Sequence, residues 1–281
     1  MLGNVIVGQS GGPTSVINSS LAGVFKTAKD RGAKKVYGMR HGIKGLLDRQ
    51  YVDLSEKIKT TMDIELLKRT PSSYLGSCRY KLPEIKDDRE TYDKIFEILD
   101  ELEIKFFFYI GGNDSMDTIK KLSDYAILIG SDIRFMGVPK TIDNDLAVTD
   151  HTPGYGSAAK FIASTMKEII RDGLVYDYPT ISIVEIMGRN AGWLTAAAAL
   201  AKGDDCEGVD LLYLPEKTFD IDHFMDRVKE LTAKGRSIVV AISEGIRVLD
   251  GRYVFELSDH VEFVDAFGHK QLAGSAKFLS N

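Results

Sequence analysis

Residues 135–145, Phe135-Met136-Gly137-Val138-Pro139-Lys140-Thr141-Ile142-Asp143-Asn144-Asp145, read as a buried strand that runs into a polar loop. The apolar start, 135–138, has the length of a short strand, and five polar side chains then crowd into positions 140–145. In an extended backbone, residues two apart face the same way, so Asp143 and Asp145 are expected on one face, roughly 6.5–7 Å apart. At an effective dielectric of about 20, two carboxylates at that separation repel by roughly 2.5 kcal/mol, or about 2 pKa units. Both stay ionised only beside positive charge, for which Lys140 is one source and a hard divalent cation another. One carboxylate able to act as a base beside a second that binds a cation is the equipment of phosphoryl transfer. A solvated acidic turn is the plain alternative for such a cluster, and the rest of the chain weighs against it.

Upstream, the apolar run 104–110 (IKFFFYI) meets Gly111-Gly112-Asn113-Asp114-Ser115 and then a helix expected over 116–123, with Asp114 or Ser115 as its cap. The N-terminal region repeats this order. A strand at 4–7 is followed by GQSGGPTS, 8–15, and by a helix at 16–29. Strand, glycine turn and helix together present backbone N–H groups to an anion. With no Walker lysine and no GxGxxG, residues 8–15 read equally well as a plain turn. Between these segments come a strand at 35–39, a small-residue loop at 70–81 and a helix at 90–103. Arg79 in that loop is either a planar fork for a phosphate or a surface arginine.

Downstream, 150–157 is a turn-rich join, followed by a helix at 158–171 and a strand at 178–186 that ends at Met187-Gly188-Arg189. A small-residue helix at 194–202, a strand at 211–216, a helix at 224–234 and a strand at 237–242 ending at Ser243-Glu244-Gly245 complete the pattern. A short strand or helix is expected at 261–267, and residues 276–281 read as a helix just begun without a cap.

Strand, loop and helix alternate along the whole chain, which predicts an α/β fold of largely parallel sheets. Ligands bind outside the carboxyl ends of such strands, where nearly every glycine or polar cluster falls. Of 281 residues, 44% are hydrophobic and 27% charged, an ordinary globular profile with room for two domains. A net charge of −5 without a basic block argues against a nucleic-acid partner. Two cysteines, Cys78 and Cys206, make no disulfide framework, and a reducing cytoplasm is the simplest location. No signal peptide is read at the start, and the most apolar stretch, 194–201, is too short to span a bilayer.

The segments SGGPTSVIN (10–18), YLGSCRYK (74–81), IGGNDSMDT (110–118), PKTIDNDL (139–146), EIMGRNAGW (185–193) and ISEG (242–245) together resemble the phosphofructokinase family, over essentially the whole chain. The resemblance implies two Rossmann-like lobes: residues 1–153 for the phosphoryl donor and 154–281 for the sugar phosphate. It implies phosphoryl transfer to the 1-hydroxyl of fructose 6-phosphate, with Mg²⁺, in a cytoplasmic homo-oligomer (dimer or tetramer). Carried over position by position, Asp143 resembles the general base, and Asp145 and Thr141 its partners in positioning metal and phosphoryl group. Gly12 resembles the glycine whose N–H faces the transferred phosphoryl, and Arg79 a cationic phosphate contact. Met187, Gly188 and Arg189 resemble the segment that binds sugar and phosphate, and Glu244 the acceptor of a sugar hydroxyl. Asn113 stands where most members carry a metal-linked aspartate; its amide oxygen can still ligate Mg²⁺.

Asp114 and Lys140 stand where ATP-dependent members carry glycines, in GGDGS and PGTIDND. In the family this combination goes with pyrophosphate as donor and with a reversible reaction. The physics agrees: a carboxylate at 114 charges the space a nucleotide would use, and Lys140 supplies a cation to a small, highly charged donor. Thr180 stands where ATP-dependent members carry an arginine for the sugar phosphate. Family members continue beyond the position of Asn281 with further sugar-phosphate contacts, so the second lobe is expected to be incomplete; a lone histidine such as His269 reads as structural. Two alternatives stay open: an ATP-dependent 6-phosphofructokinase, and a non-catalytic, sugar-phosphate-binding regulatory subunit.

Overall fold

The computed structural model describes residues 3–257 and 274–280, so the element expected at 261–267 and His269 lie outside the described residues. The chain divides into two compact units, Met1–Thr141 and Ile142–Asn281.

The first unit runs β1 (Asn4–Gln9), α1 (Ile17–Asp30), β2 (Val36–Met39), α2 (Gly42–Leu47), β3 (Tyr51–Asp53), α3 (Leu54–Lys57), α4 (Thr61–Arg69), α5 (Arg89–Glu101), β4 (Ile104–Gly111), α6 (Asn113–Ile129) and β5 (Arg134–Pro139). Its strands form one sheet in the order β3-β2-β1-β4-β5. Pairing is parallel except between β2 and β3. Every residue of β1 is buried, as a central strand covered on both faces requires. Strand alternation divides its apolar side chains between two cores. Ile6 joins Met39, Phe107 and Tyr109 beneath α5, whereas Val5 and Val7 join Val36, Ile110 and the Leu21 and Phe25 stripe of α1.

The elements from α2 to α4 were not read from the sequence. β3 is three residues long and antiparallel, too short for alternation to register. α4 did carry a signal: Thr60 and Asp63 form a capping box at its start.

The second unit runs α7 (Tyr155–Gly173), β6 (Ile181–Ile186), α8 (Trp193–Ala196), β7 (Leu211–Tyr213), α9 (Ile221–Thr232), β8 (Ile238–Ser243) and α10 (Ser275–Leu279). Its parallel sheet has the order β6-β8-β7. Alternation again makes two cores. Val239 and Ala241 of β8 face Met166, Ile170 and Leu194, and Ile238, Val240 and Ile242 face Phe224 and Leu231. The helix expected at 194–202 divides into α8 and a 3-10 turn, Ala197–Ala201. α10 is capped from a distance: the Glu185 carboxylate accepts from the N–H groups of Gly274 and Ala276.

The division after Thr141 differs from the boundary expected at 153/154. Ile142 packs against the core that holds Met166 and Leu194, and Asn144 bonds to residues 150 and 152. The polar, turn-rich composition of 150–157 marks the entry to α7, not a linker between units.

Candidate active site

In the first unit, the chain passes from β1 to β2 on one side and from β4 to β5 on the other. Winding reverses between β1 and β4, the place where open α/β sheets bind ligands at their carboxyl edge. The glycine turns converge there. Ser10 N–H donates to Ile110 O at 2.9 Å, Gly11 N–H to Cys78 O at 3.0 Å, and Lys140 N–H to Gly111 O at 2.9 Å. Ser77 Oγ donates to Gly11 O at 2.5 Å. Gly11 has φ +74°, in the region glycine enters freely, and a Cβ on Gly12 would meet no heavy atom within 4 Å. Gly111 cannot carry a side chain, because a Cβ would come within 1.9 Å of Ser115 Oγ.

Lys140 is only 4% exposed, and its Nζ donates to the Gly12 carbonyl at 2.6 Å. A buried ammonium is costly unless hydrogen-bonded, so its place against this turn is well defined. The Lys140 ammonium and the Gly12 turn are thus in direct contact. Arg79 is exposed and directly follows Cys78, whose carbonyl holds Gly11. Thr14 Oγ1 is buried and without a hydrogen bond among the described residues.

α6 begins earlier and runs further than the 116–123 expected, and neither Asp114 nor Ser115 caps it. The N-cap is Gly112, with no side-chain cap. Ser115 Oγ bonds instead to Ser10 Oγ, tying the two turns together. Asn113 and Asp114 therefore lie exposed on the first helical turn, among N–H groups that lack intrahelical partners.

In the second unit, residues 142–152 form a closed loop, and the same-face expectation for Asp143 and Asp145 is corrected. Asn144 between them has φ +56°, which breaks the two-residue alternation of an extended chain. Its side chain bonds Asp150 O and Thr152 N, and asparagine tolerates this backbone region better than most side chains.

The Met187–Gly188–Arg189 loop is held at both ends. Gly188 N–H donates to Glu244 Oε1 at 3.1 Å and Gly192 N–H to Glu216 Oε1 at 2.7 Å. Ser243 Oγ donates to Gly188 O at 2.5 Å. A Cβ on Gly245 would lie 2.0 Å from Arg189 O, so glycine there lets the two turns touch. Ser243 and Glu216 carried no role in the sequence reading, although Ser243 lies in the ISEG segment and Glu216 ends the strand expected over 211–216. Met187 and Arg189 are exposed.

Burial pushes the half-buried Glu244 carboxyl above the usual carboxylate range; Gly188 N–H and Arg189 oppose the shift, while Glu185 and Asp143 add to it. Asp143, Arg189 and Glu244 thus share one electrostatic neighbourhood. Glu244→Gln keeps an acceptor for Gly188 N–H and removes a charge the fold disfavours. Below the ordinary carboxylate range both proteins are neutral there and match in stability. As pH rises through the raised folded pKa, wild type loses stability relative to the variant. Melting temperatures from pH 4 to 8 check this; a deficit of the variant that is constant with pH contradicts it.

A cavity of about 780 Å³ lies at the opposite, amino edge of the second sheet and includes Arg171, Asp205, Glu207, Asp210 and Arg236 in its walls. Four of its charges pair with one another, Arg236 with Asp210 at 2.6 Å and Arg171 with Asp205 at 2.5 Å, and none of the motif residues lines it.

Residues 4–280 match the family model described as Phosphofructokinase. The chain belongs to the phosphofructokinase family. The chain is 45% identical over 275 residues to the pyrophosphate–fructose 6-phosphate 1-phosphotransferase of Rhodospirillum rubrum, covering 97% of the chain and 66% of that relative. It is 42% identical to the enzyme of the same name from Xanthomonas campestris, covering 99% and 66%. A crystal structure of pyrophosphate-dependent phosphofructokinase from Nitrosospira multiformis superposes with a TM-score of 0.79 at 37% identity, covering 89% of this chain and 62% of that one. The chain thus spans just under two thirds of the length of these relatives. Its fold is the α/β fold of largely parallel sheets expected for a phosphofructokinase. Among its described residues, no helix is long and apolar enough to cross a membrane.

Proposed function

We propose that the chain carries the donor and acceptor machinery of a phosphotransferase that moves a phosphoryl group from pyrophosphate to the 1-hydroxyl of fructose 6-phosphate, reversibly. The observation that carries this reading is the buried Lys140 ammonium against the Gly12 carbonyl, at the edge where the first sheet reverses its winding. Lys140 places a fixed positive charge beside an open glycine turn. Pyrophosphate offers no base or ribose to bind, so its affinity must come from such charges and from backbone N–H groups. The names of the relatives support the same donor.

In this reading the Gly12 N–H, the Thr14 hydroxyl, Arg79 and Lys140 hold the donor phosphates. Asp114 puts negative charge where a nucleotide donor would extend. Met187, Gly188 and Arg189 hold the sugar phosphate, and Glu244 accepts a sugar hydroxyl. The Asp143 carboxylate takes the proton of the 1-hydroxyl as that oxygen bonds to phosphorus. The bond from phosphorus to the leaving phosphate breaks, and Thr141 and Asp145 keep the transferred group in line. Mg²⁺ takes oxygen ligands and keeps several from water and substrate phosphates. The exposed oxygens of Asn113 and Asp114 suit it, and it would neutralise charge on the donor. The exposed apolar residues Leu174, Val175, Tyr176 and Ile181 support a homo-oligomer, dimer or tetramer. A cytoplasmic enzyme with no nucleic-acid or membrane partner completes the reading.

The test is a side-by-side assay of the full-length protein with fructose 6-phosphate and Mg²⁺, with either pyrophosphate or ATP as donor. Turnover with pyrophosphate and none with ATP is expected. Turnover with ATP alone overturns the donor, and fructose 6-phosphate binding without any turnover favours a regulatory subunit.

A further inference from the structure

We propose that Asn144 is a positioning residue for phosphoryl transfer, which sets the directions of the carboxylates on either side of it, Asp143 and Asp145. The proposal rests on the reading of Asp143 as the base.

Asn144 is 5% exposed, and both ends of its amide are engaged. Nδ2 donates to Asp150 O at 3.1 Å, and Oδ1 accepts from Thr152 N–H at 2.8 Å. These bonds close residues 144–152 into a ring. Thr152 is itself 2% exposed, and its carbonyl accepts from Tyr155 N–H at 3.1 Å, in the first turn of α7. The backbone carrying the two carboxylates is therefore pinned to the start of a 19-residue helix.

The side chain is chosen narrowly. At φ +56° the backbone admits glycine, asparagine or aspartate most easily. Glycine has no side chain to close the ring. Aspartate offers only acceptors when ionised and would face the Asp150 carbonyl without a donor. Asparagine alone of the three meets both partners. The ring also contains Val148, a fully exposed β-branched residue at φ +54°. Such a conformation persists only where the surrounding structure enforces it.

Because residue 144 leaves the extended region, the angle between the side chains at 143 and 145 depends on the torsion that this clamp holds. Asp143 and Asp145, two positions apart in the chain, carry like charges, and a loop released from the clamp is free to change the directions in which they point. A base displaced by about 1 Å loses roughly 10²-fold in rate.

The experiment compares full-length wild type with Asn144→Gly, which keeps the positive φ at no steric cost and loses the clamp. Steady-state kinetics with pyrophosphate and fructose 6-phosphate give the first readout, and hydrogen exchange at the Thr152 amide the second. The expected result is a kcat lowered roughly 10- to 100-fold, a KM for fructose 6-phosphate little changed, and faster exchange at Thr152. Asn144→Asp keeps the Thr152 contact and, if the glycine variant fails to fold, carries the same test with a smaller expected loss in kcat. A kcat within twofold of wild type overturns the proposal, as does a change confined to KM. Absence of turnover in the wild type overturns the functional reading instead; Thr152 exchange then still decides whether Asn144 holds the loop, and unaltered exchange ends the proposal.

Discussion

Replacing Asp143 with serine is expected to lower turnover by about 10²–10⁴-fold while fructose 6-phosphate binds nearly as before. A serine hydroxyl cannot hold the proton that leaves the 1-hydroxyl, so the loss falls on kcat. Asp143 influences the titration of Glu244, which also feels Arg189. Asp143, the proposed base, thus lies within electrostatic reach of Glu244 and Arg189, and those two side chains remain when it is removed. Glu244 still accepts from Gly188 N–H, so the loop at 187–189 keeps its anchor. Steady-state kinetics paired with direct calorimetric binding of fructose 6-phosphate separate the two effects. Near-normal turnover would remove Asp143 from its role, and loss of sugar binding in a folded variant would make it a binding residue.

The second large effect is expected at Lys140. Lys140→Met keeps a long unbranched side chain in a site only 4% exposed but removes the charge and the donor. Turnover with pyrophosphate should fall by about 10²–10³-fold, the usual cost of deleting one preorganised donor to a developing charge. Stability should fall too, by about 1–3 kcal/mol, because the Gly12 carbonyl loses the donor at 2.6 Å. The two losses are separable: denaturant unfolding gives the second, and kinetics at a temperature where the variant is fully folded give the first. An unchanged kcat/KM for pyrophosphate in the folded variant would show that Lys140 serves the fold alone.

Much of this architecture was legible because its signals are local. β1, β4 and β8 are apolar runs that end in glycine or small polar residues, and buried parallel strands read that way. The agreement of those ends, each carrying a motif, pointed to the carboxyl ends of the strands as the place for ligands. What was not legible depends on contacts far apart in sequence or on single torsions. Ser115 looked like a helix cap, yet its hydroxyl pairs with Ser10, 105 positions away. Glu185 caps a helix that begins about 90 residues later. The expectation that Asp143 and Asp145 share a face assumed an extended chain, and one positive φ at Asn144 undid it. The domain boundary followed composition, whereas Ile142 follows its packing.

The most direct measurement is a crystal structure of the full-length protein with Mg²⁺ and methylenediphosphonate, a pyrophosphate mimic whose bridge cannot be cleaved. One of its phosphonate groups is expected within hydrogen-bond reach of both the Gly12 N–H and Lys140 Nζ. Clear density for the mimic elsewhere, with Gly12 and Lys140 untouched, would contradict the account.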